Sequence, residues 1–524
     1  MRCLAVAAVG ILVAGMTGGH AQQADPVRPT FRAGTTLIDF NIVAVDGRGN
    51  PVTNLRRDEI TIFEDDQNRE LAFYQYEGAA SSSVRGPSDR IVPLAPGTFT
   101  NRTQYAPHSP RNLIAIVLDL INTTIAQQAE LQTHLLHSLK QLPPDAHVGL
   151  YIVSEQALAI HDFTKDVDSL RARLEKGSTT VQTALANSSR DIQAMLKTAS
   201  AEHAESLKGM AEARARAEGD LDMHIMKLRR RRTLQALEAV GHHLAGVPGR
   251  KSIVWVTYGF PLTSHDGTYT DEVRTMSQQL ATENVAIYPV DAGGVGGTSL
   301  GGGGGRQEGR IQGTNELMAS ITGGRVTRNN NDLTSGMHSA ADDLRGAYSV
   351  GFYGADKPDD RWHTLTVKTS RPDVTLRYRE GYLAASTVVN EKSVWPKDRW
   401  NDLAYRPLIS TAVRIDARPS REAARLILAL DVAVDDLEFR PASGGSASDV
   451  EIALVEKTAK GPTNVRVQPA SVQRPPDAAV PATVPLSATF PLNPQTTSVR
   501  VIVRDRASGR FGSLDLQVDR LPKP

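Results

Sequence analysis

Cysteine is almost missing from this chain. Cys3 is the single one in 524 residues, and it falls inside a leading segment expected to be removed. The mature protein then has no disulfide framework, no thiolate metal site and no cysteine nucleophile, and core packing alone must hold it together. An excess of one charge is missing too: 59 Lys and Arg stand against 58 Asp and Glu, a net charge of +1. That balance offers no concentrated basic face to displace counterions from phosphates, so no nucleic-acid partner is expected. Beyond the leader no run is long and apolar enough for the roughly 20 residues a membrane helix needs. HExxH is absent and the 13 histidines are scattered, so zinc hydrolysis lacks its parts; the one GxSxG match, Gly297-Thr298-Ser299-Leu300-Gly301, falls in a glycine-dominated stretch without the strand, turn and helix order of a nucleophile elbow. His242-His243 are neighbours on a helical segment and face different directions. An enzyme would have to bring His161-Asp162, read as a loop pair at a strand end, or His265 to the aspartate at position 119.

What is present is ordinary for folded protein, 40% hydrophobic and 22% charged residues, in a length that suggests about three domains of roughly 100–200 residues each. Arg2, the apolar run Leu4 to Met16 and Gly19-His20-Ala21 read as a signal peptide over residues 1–21. The expected destination is the periplasm or the extracellular space, with no membrane span left after cleavage.

Residues 31–77 are expected to form a small β unit. Ile38, Phe40, Ile42 and Ala44 alternate with less apolar neighbours, a turn follows at Asp46 to Pro51, and short strands recur at Ile60 to Phe63 and Leu71 to Tyr76. The acidic turn Glu64-Asp65-Asp66 lacks the ordered spacing of a calcium loop and reads as a solvated hairpin. Residues 78–110, rich in Ser, Pro and Gly, read as a linker.

At Leu113 the pattern changes. Leu113 to Leu118, Val148 to Val153, Ser252 to Thr257 and Val285 to Val290 are continuous apolar runs, as expected of parallel strands buried on both faces. Helical periods lie between them, such as Leu131, Leu135, Leu139 and Leu142. The fold class predicted is therefore α/β, a Rossmann-like mostly parallel sheet over residues 111–382 whose ligands bind beyond the carboxyl ends of the strands. Within it, 186–232 reads as a long amphipathic helical insertion, coiled-coil-like, with the run Arg229 to Arg232 as a solvated face. Residues 347–382 read as a β extension of the same domain. The glycine-dominated stretch Gly293 to Gly305 and the sequence Gly249-Arg250-Lys251-Ser252 both lack the strand, loop and helix order of a phosphate cradle. A linker is expected at 383–402, and 403–524 reads as a C-terminal β-sandwich with long loops at Pro441 to Ser448 and Pro469 to Pro485.

An aspartate closing the first sheet strand, in this order of elements, resembles the von Willebrand factor A domain. Its metal-ion-dependent adhesion site uses Asp-x-Ser-x-Ser, a threonine from a later loop and an aspartate after the fourth core strand. Here Asp119 matches, Ile121 stands at the first serine, Thr123 replaces the second, and Thr179 in Gly177-Ser178-Thr179 matches the loop threonine. Thr257-Tyr258-Gly259 stands where Thr-Asp-Gly is usual, so one carboxylate is lost, and Asn122 is a substitute oxygen. The resemblance is closer to VWFA-related proteins of the kind first grouped in Acidobacteria. It is carried by Gly47 to Val52, Ile62 to Asp66, Leu118 to Thr123, Asp162 to Asp166, Pro248 to Ser252, Tyr258 to Pro261, Thr322 to Arg325 and Arg379 to Tyr382. That family implies an exported protein with a modified adhesion-type domain and no established reaction, and it does not supply a ligand. The function expected is non-catalytic, adhesion-type protein binding with no cofactor.

Asp119, Asn122, Thr123, Thr179 and Tyr258 are the candidates for contact with an unidentified protein partner. Asp119, Thr123 and Thr179 are the residues of an incomplete metal site that holds Mg²⁺ weakly if at all. The alternatives are Mg²⁺-dependent capture of a partner carboxylate and an enzyme of unassigned class. The sequence fixes no oligomeric state.

Overall fold

The computed structural model describes residues 37–78, 93–105, 113–123, 125–142, 146–153, 157–164, 166, 168, 170, 211–258, 270–292, 304–327, 333–354, 359, 361–384, 395, 397–442, 445–458, 461–475 and 481–522. The expected leader, the loop carrying Thr179, residues 186–210 of the helical insertion, most of the glycine-rich stretch and His265 lie outside them.

Four strands open the described chain: β1 (Leu37–Asp46), β2 (Ile60–Glu64), β3 (Gln67–Arg69) and β4 (Leu71–Tyr76). The turn after β1 is closed by Asp46, whose Oδ1 accepts from the backbone N–H of Arg48 and Asn50 at 2.8 Å each. Gly49 at φ +86° supplies a conformation that side chains resist. β5 (Phe99–Thr100) follows.

The sheet domain then runs through β6 (Leu113–Asp119), α1 (Ile125–Leu139), β7 (His147–Val153), β8 (Ala157–Thr164), α2 (Ala211–Leu244), β9 (Lys251–Thr257), α3 (Thr270–Thr282), β10 (Val285–Asp291), α4 (Gly304–Thr322) and α5 (Leu333–Arg345). Its strand order is β10-β9-β6-β7-β8, with the first four parallel and β8 antiparallel at the edge. His161-Asp162, expected in a loop, lies within β8. Every residue of β6 is buried, because it is central and covered on both faces. Leu131, Leu135 and Leu139 of α1 pack with Leu333, Met337 and Ala340 of α5 on one face. Leu234, Leu237 and Leu244 of α2, Val273 and Leu280 of α3 and Met318 of α4 cover the other. Each such leucine contributes about 1.5–3 kcal/mol by leaving water.

β11 (Ala347–Tyr353), β12 (Trp362–Thr369), β13 (Val374–Tyr378) and β14 (Gly381–Leu383) come next. They do not extend the parallel sheet. They pair with the N-terminal strands in two sheets, β13-β1-β11-β4 and β14-β12-β2-β3, around a shared core that includes Phe40, Ile42, Tyr348 and Phe352. The segments read separately as 31–77 and 347–382 thus form one unit. The turn expected to be solvated uses its carboxylates internally: Asp65 accepts from His363 and from the backbone of Thr364, and Glu64 from Arg69 and Tyr382.

The last part begins with α6 (Lys397–Tyr405), inside and just beyond the expected linker, and continues with β15 (Ile415–Glu422), β16 (Arg425–Ala433), β17 (Arg440–Ala442), β18 (Gly445–Thr458), β19 (Gly461–Arg474), β20 (Thr483–Pro491), β21 (Ser498–Asp505) and β22 (Phe511–Gln517). Two antiparallel sheets, β20-β16-β15-β5 and β17-β18-β21-β22 with β19 on β18, enclose one core. β5, from the expected 78–110 linker, belongs to this sandwich. The stretches read as loops at Pro441 to Ser448 and Pro469 to Pro485 carry strand, because β18 and β19 form a long hairpin whose second strand is largely solvent-facing and polar. Arg500, 2% exposed, pairs with both oxygens of Asp515 at 2.7 Å and donates to the carbonyls of Leu403 and Arg406. It thereby seats the end of α6 on the sandwich.

Candidate functional site

Parallel register sets the site. Asp119 lies opposite Val153 of β7, Thr257 opposite Asp291 of β10, and Leu118 opposite Val256 of β9. The carboxyl edge of the sheet therefore presents Asp119, Thr257 and Asp291 on neighbouring strands.

Asp119 is fully buried. Its Oδ2 accepts from Asn122 Nδ2 at 2.6 Å and from Thr257 Oγ1 at 3.2 Å, and its Oδ1 from the backbone N–H of Asn122 at 3.2 Å. Thr123 Oγ1 donates to the Asp119 backbone carbonyl. Burial pushes the Asp119 carboxyl up to about 6, against the lowering effect of the Asn122, Thr257 and Trp255 donors.

Two side chains of α2 complete this nest, and neither was picked out from the sequence. Thr233, fully buried, accepts from Asn122 Nδ2 at 2.9 Å. Arg229, one helical turn earlier on the same face, is partly buried. Desolvation lowers its pKa and the negative charge of Asp119 opposes that effect. The first member of the arginine run is therefore turned toward the site instead of lying on a wholly solvated face. The only available signal was the spacing of Arg229 and Thr233, and it becomes informative only once the helix is known to cross the strand ends.

Asp119, Asn122 and Thr123 are each 1% exposed or less. They form the floor of the rim and do not offer contact surface. Tyr258 and Asp291 are half-buried and reach the rim itself.

Among the described residues, which do not include Thr179, the oxygens around Asp119 make a poor set for Mg²⁺. A near-octahedral dication needs several hard oxygens with free lone pairs. Here the one carboxylate accepts from three protein donors and a guanidinium charge acts on the same aspartate, while the Thr123 hydroxyl donates to a carbonyl and keeps its lone pairs. Asn122 Oδ1 is the buried oxygen left without a donor. Among the described residues no group of three or more His, Cys, Asp or Glu is placed around a common metal position, and no helix is long and apolar enough to cross a membrane.

No protein-family model matches the chain, and no curated protein does. Similar solved structures include an aerotolerance-related membrane protein from Bacteroides fragilis NCTC 9343 carrying multiple mutations to serines, at 13% identity over 44% of this chain and 97% of that one, TM-score 0.25. A second is the conserved hypothetical protein BatB from Bacteroides thetaiotaomicron, at 14% identity over 44% and 95%, TM-score 0.24. A third is a von Willebrand factor type A protein from Catenulispora acidiphila, at 9% identity over 78% and 66%, TM-score 0.24. At these scores the likenesses carry no inference about ligand or reaction. The α/β architecture of the central domain rests on its own strand order and layers.

Proposed function

We propose that this chain is an exported, non-catalytic binding protein whose central domain is a von Willebrand factor A-type domain that docks a protein partner without a metal ion. The observation that supports this reading is the internal saturation of Asp119. In an adhesion-type site that carboxylate holds a cation, which in turn holds a carboxylate of the partner. Here Asn122 and Thr257 occupy its oxygens and Arg229 supplies positive charge. Contact then falls to the half-buried rim at Tyr258 and Asp291 and to the exposed side of α2, where Met223 is 66% exposed. Thr233 joins α2 to the floor of the rim through Asn122.

The test is partner capture by the mature protein with magnesium or with a chelator, in wild type and in Tyr258→Ala and Met223→Asp variants. Capture unchanged by the chelator and weakened by either variant fits the proposal. Capture lost on chelation would replace it with metal-dependent binding.

A further inference from the structure

Three of the sequence phrases singled out above meet far from the rim, at the opposite, amino-terminal end of the parallel strands. Arg250 immediately precedes β9, Thr322 and Gly323 end α4, and Arg379 follows β13. Arg250, Thr322 and Arg379, with Phe40, Asn41, Ala281, Asn284 and Val285, line a small cleft between the sheet domain and the N-terminal β unit.

Arg250 is 2% exposed and Arg379 6%. Arg250 spends one terminal nitrogen on the Gly323 carbonyl at 2.6 Å and the Tyr288 hydroxyl at 3.2 Å. Arg379 donates to the Asp39 carbonyl at 3.0 Å and lies over the Phe40 ring. The Nε of each guanidinium is buried with no acceptor. No carboxylate lines the cleft. Asp343, a buried acid linked to Arg250 through the Tyr288 hydroxyl, is already shared by Arg325 at 2.8 Å, Arg377 at 2.9 Å and that hydroxyl at 2.9 Å. Among the described residues the carboxylate acting on Arg379 is that of Asp39, which also acts on Lys251. Buried guanidinium groups with open N–H donors and too few counter-charges are costly unless an anion completes them.

We propose that this cleft binds a single halide ion, chloride in the cell, between Arg250 and Arg379. Size favours the class: the cleft is too small for a phosphate or a carboxylate, and a monatomic halide, somewhat larger than water, is the smallest common anion. Charge selects it over water, because charge-assisted N–H donors are stronger toward an anion. The ion would tie the N-terminal β unit to the base of the sheet.

The test is thermal unfolding of the mature protein in sodium chloride, sodium bromide and sodium gluconate at matched ionic strength, together with Arg250→Met and Arg379→Met. A stabilisation by both halides over gluconate that saturates with concentration, and that each variant abolishes, is expected. Identical midpoints in chloride and gluconate would overturn the proposal, as would a halide increment that survives both substitutions. Should a variant fail to fold, crystals of the wild-type chain grown in bromide decide the matter. An anomalous peak between the two guanidinium groups supports the site, and a water or nothing there sinks it.

Discussion

Asn122 Nδ2 lies 2.6 Å from Asp119 Oδ2 and 2.9 Å from Thr233 Oγ1, so one amide joins the end of the central strand to a helix 111 residues further along the chain. Through that amide the long α2 helix is fixed to the rim, and the rim aspartate is closed off from solvent.

The raised pKa of Asp119 gives stability a pH signature. Its folded value of about 6 lies above the ordinary 3.8, so the folded state favours the protonated acid. That contribution is complete below about pH 4 and is lost as pH rises through 6, on the order of 3 kcal/mol in total. Asp119→Asn removes the titration. Its stability relative to wild type should therefore rise between about pH 4 and pH 7 in urea unfolding, and a pH-independent difference would contradict this assignment.

Arg229→Met removes the cation that acts on Asp119 and should make the ionised carboxylate harder to bury. The variant is expected to lose about 1–3 kcal/mol near neutral pH and less near pH 4, where Asp119 is protonated. Equal losses at both pH values would show that Arg229 contributes packing alone.

His242 ties the sheet domain to the sandwich. Its Nδ1 lies 2.7 Å from Glu283, its Nε2 3.5 Å from Glu238, and its ring meets Phe511 edge-on at 4.9 Å. Burial alone would depress the imidazolium, but Glu283 and Glu238 outweigh it and raise the pKa to about 9. The contribution of this raised base is fully present below about pH 6.5 and is lost as pH rises through 9. His242→Leu leaves the buried Glu283 without its ion-pair partner, while Glu238 keeps Arg399 and Arg406, and should cost about 3–5 kcal/mol at pH 6, with the gap to wild type narrowing above pH 9. Chemical unfolding at the two pH values checks it.

Gly324 has no room for a side chain, since a Cβ there would fall 1.8 Å from the Ile287 carbonyl oxygen. That atom is backbone of β10, a buried parallel strand at the sheet edge, and cannot yield locally. Gly324→Ala should destabilise by roughly 2–4 kcal/mol or more and shift β10 against α4. A midpoint within a degree of wild type would mean that the helix end moves freely.

The parallel core was legible because its signal is local. Leu113 to Leu118 and Val285 to Val290 are apolar at every position, and only burial on both faces accommodates that. β19 was not, since Pro462 and Pro469 break its short run of alternating valines, and its pairing with β18 holds it as a strand. The floor residues Asp119, Asn122 and Thr123 were found from the resemblance, but their burial was not, and a motif read as contact surface proved to lie beneath it. Arg229 was misread for a related reason: four consecutive arginines fan round a helix, and which one turns inward depends on what the helix crosses.

By itself the sequence determined where apolar runs become strands, where helical periods flank them, and that the edge beyond Leu118 carries one carboxylate with hydroxyl and amide neighbours. Only the tertiary structure decided that β1 pairs with β11 and β13, so that the backbone N–H of Leu55 reaches the Tyr348 hydroxyl across 293 residues. It also decided that Thr233 faces Asn122 and that Arg250 and Arg379 share a cleft. Hydrophobic burial is a property of each segment and can be read along the chain. Hydrogen-bond partners and shared counter-charges belong to pairs of distant residues, and they exist only once topology brings their segments together.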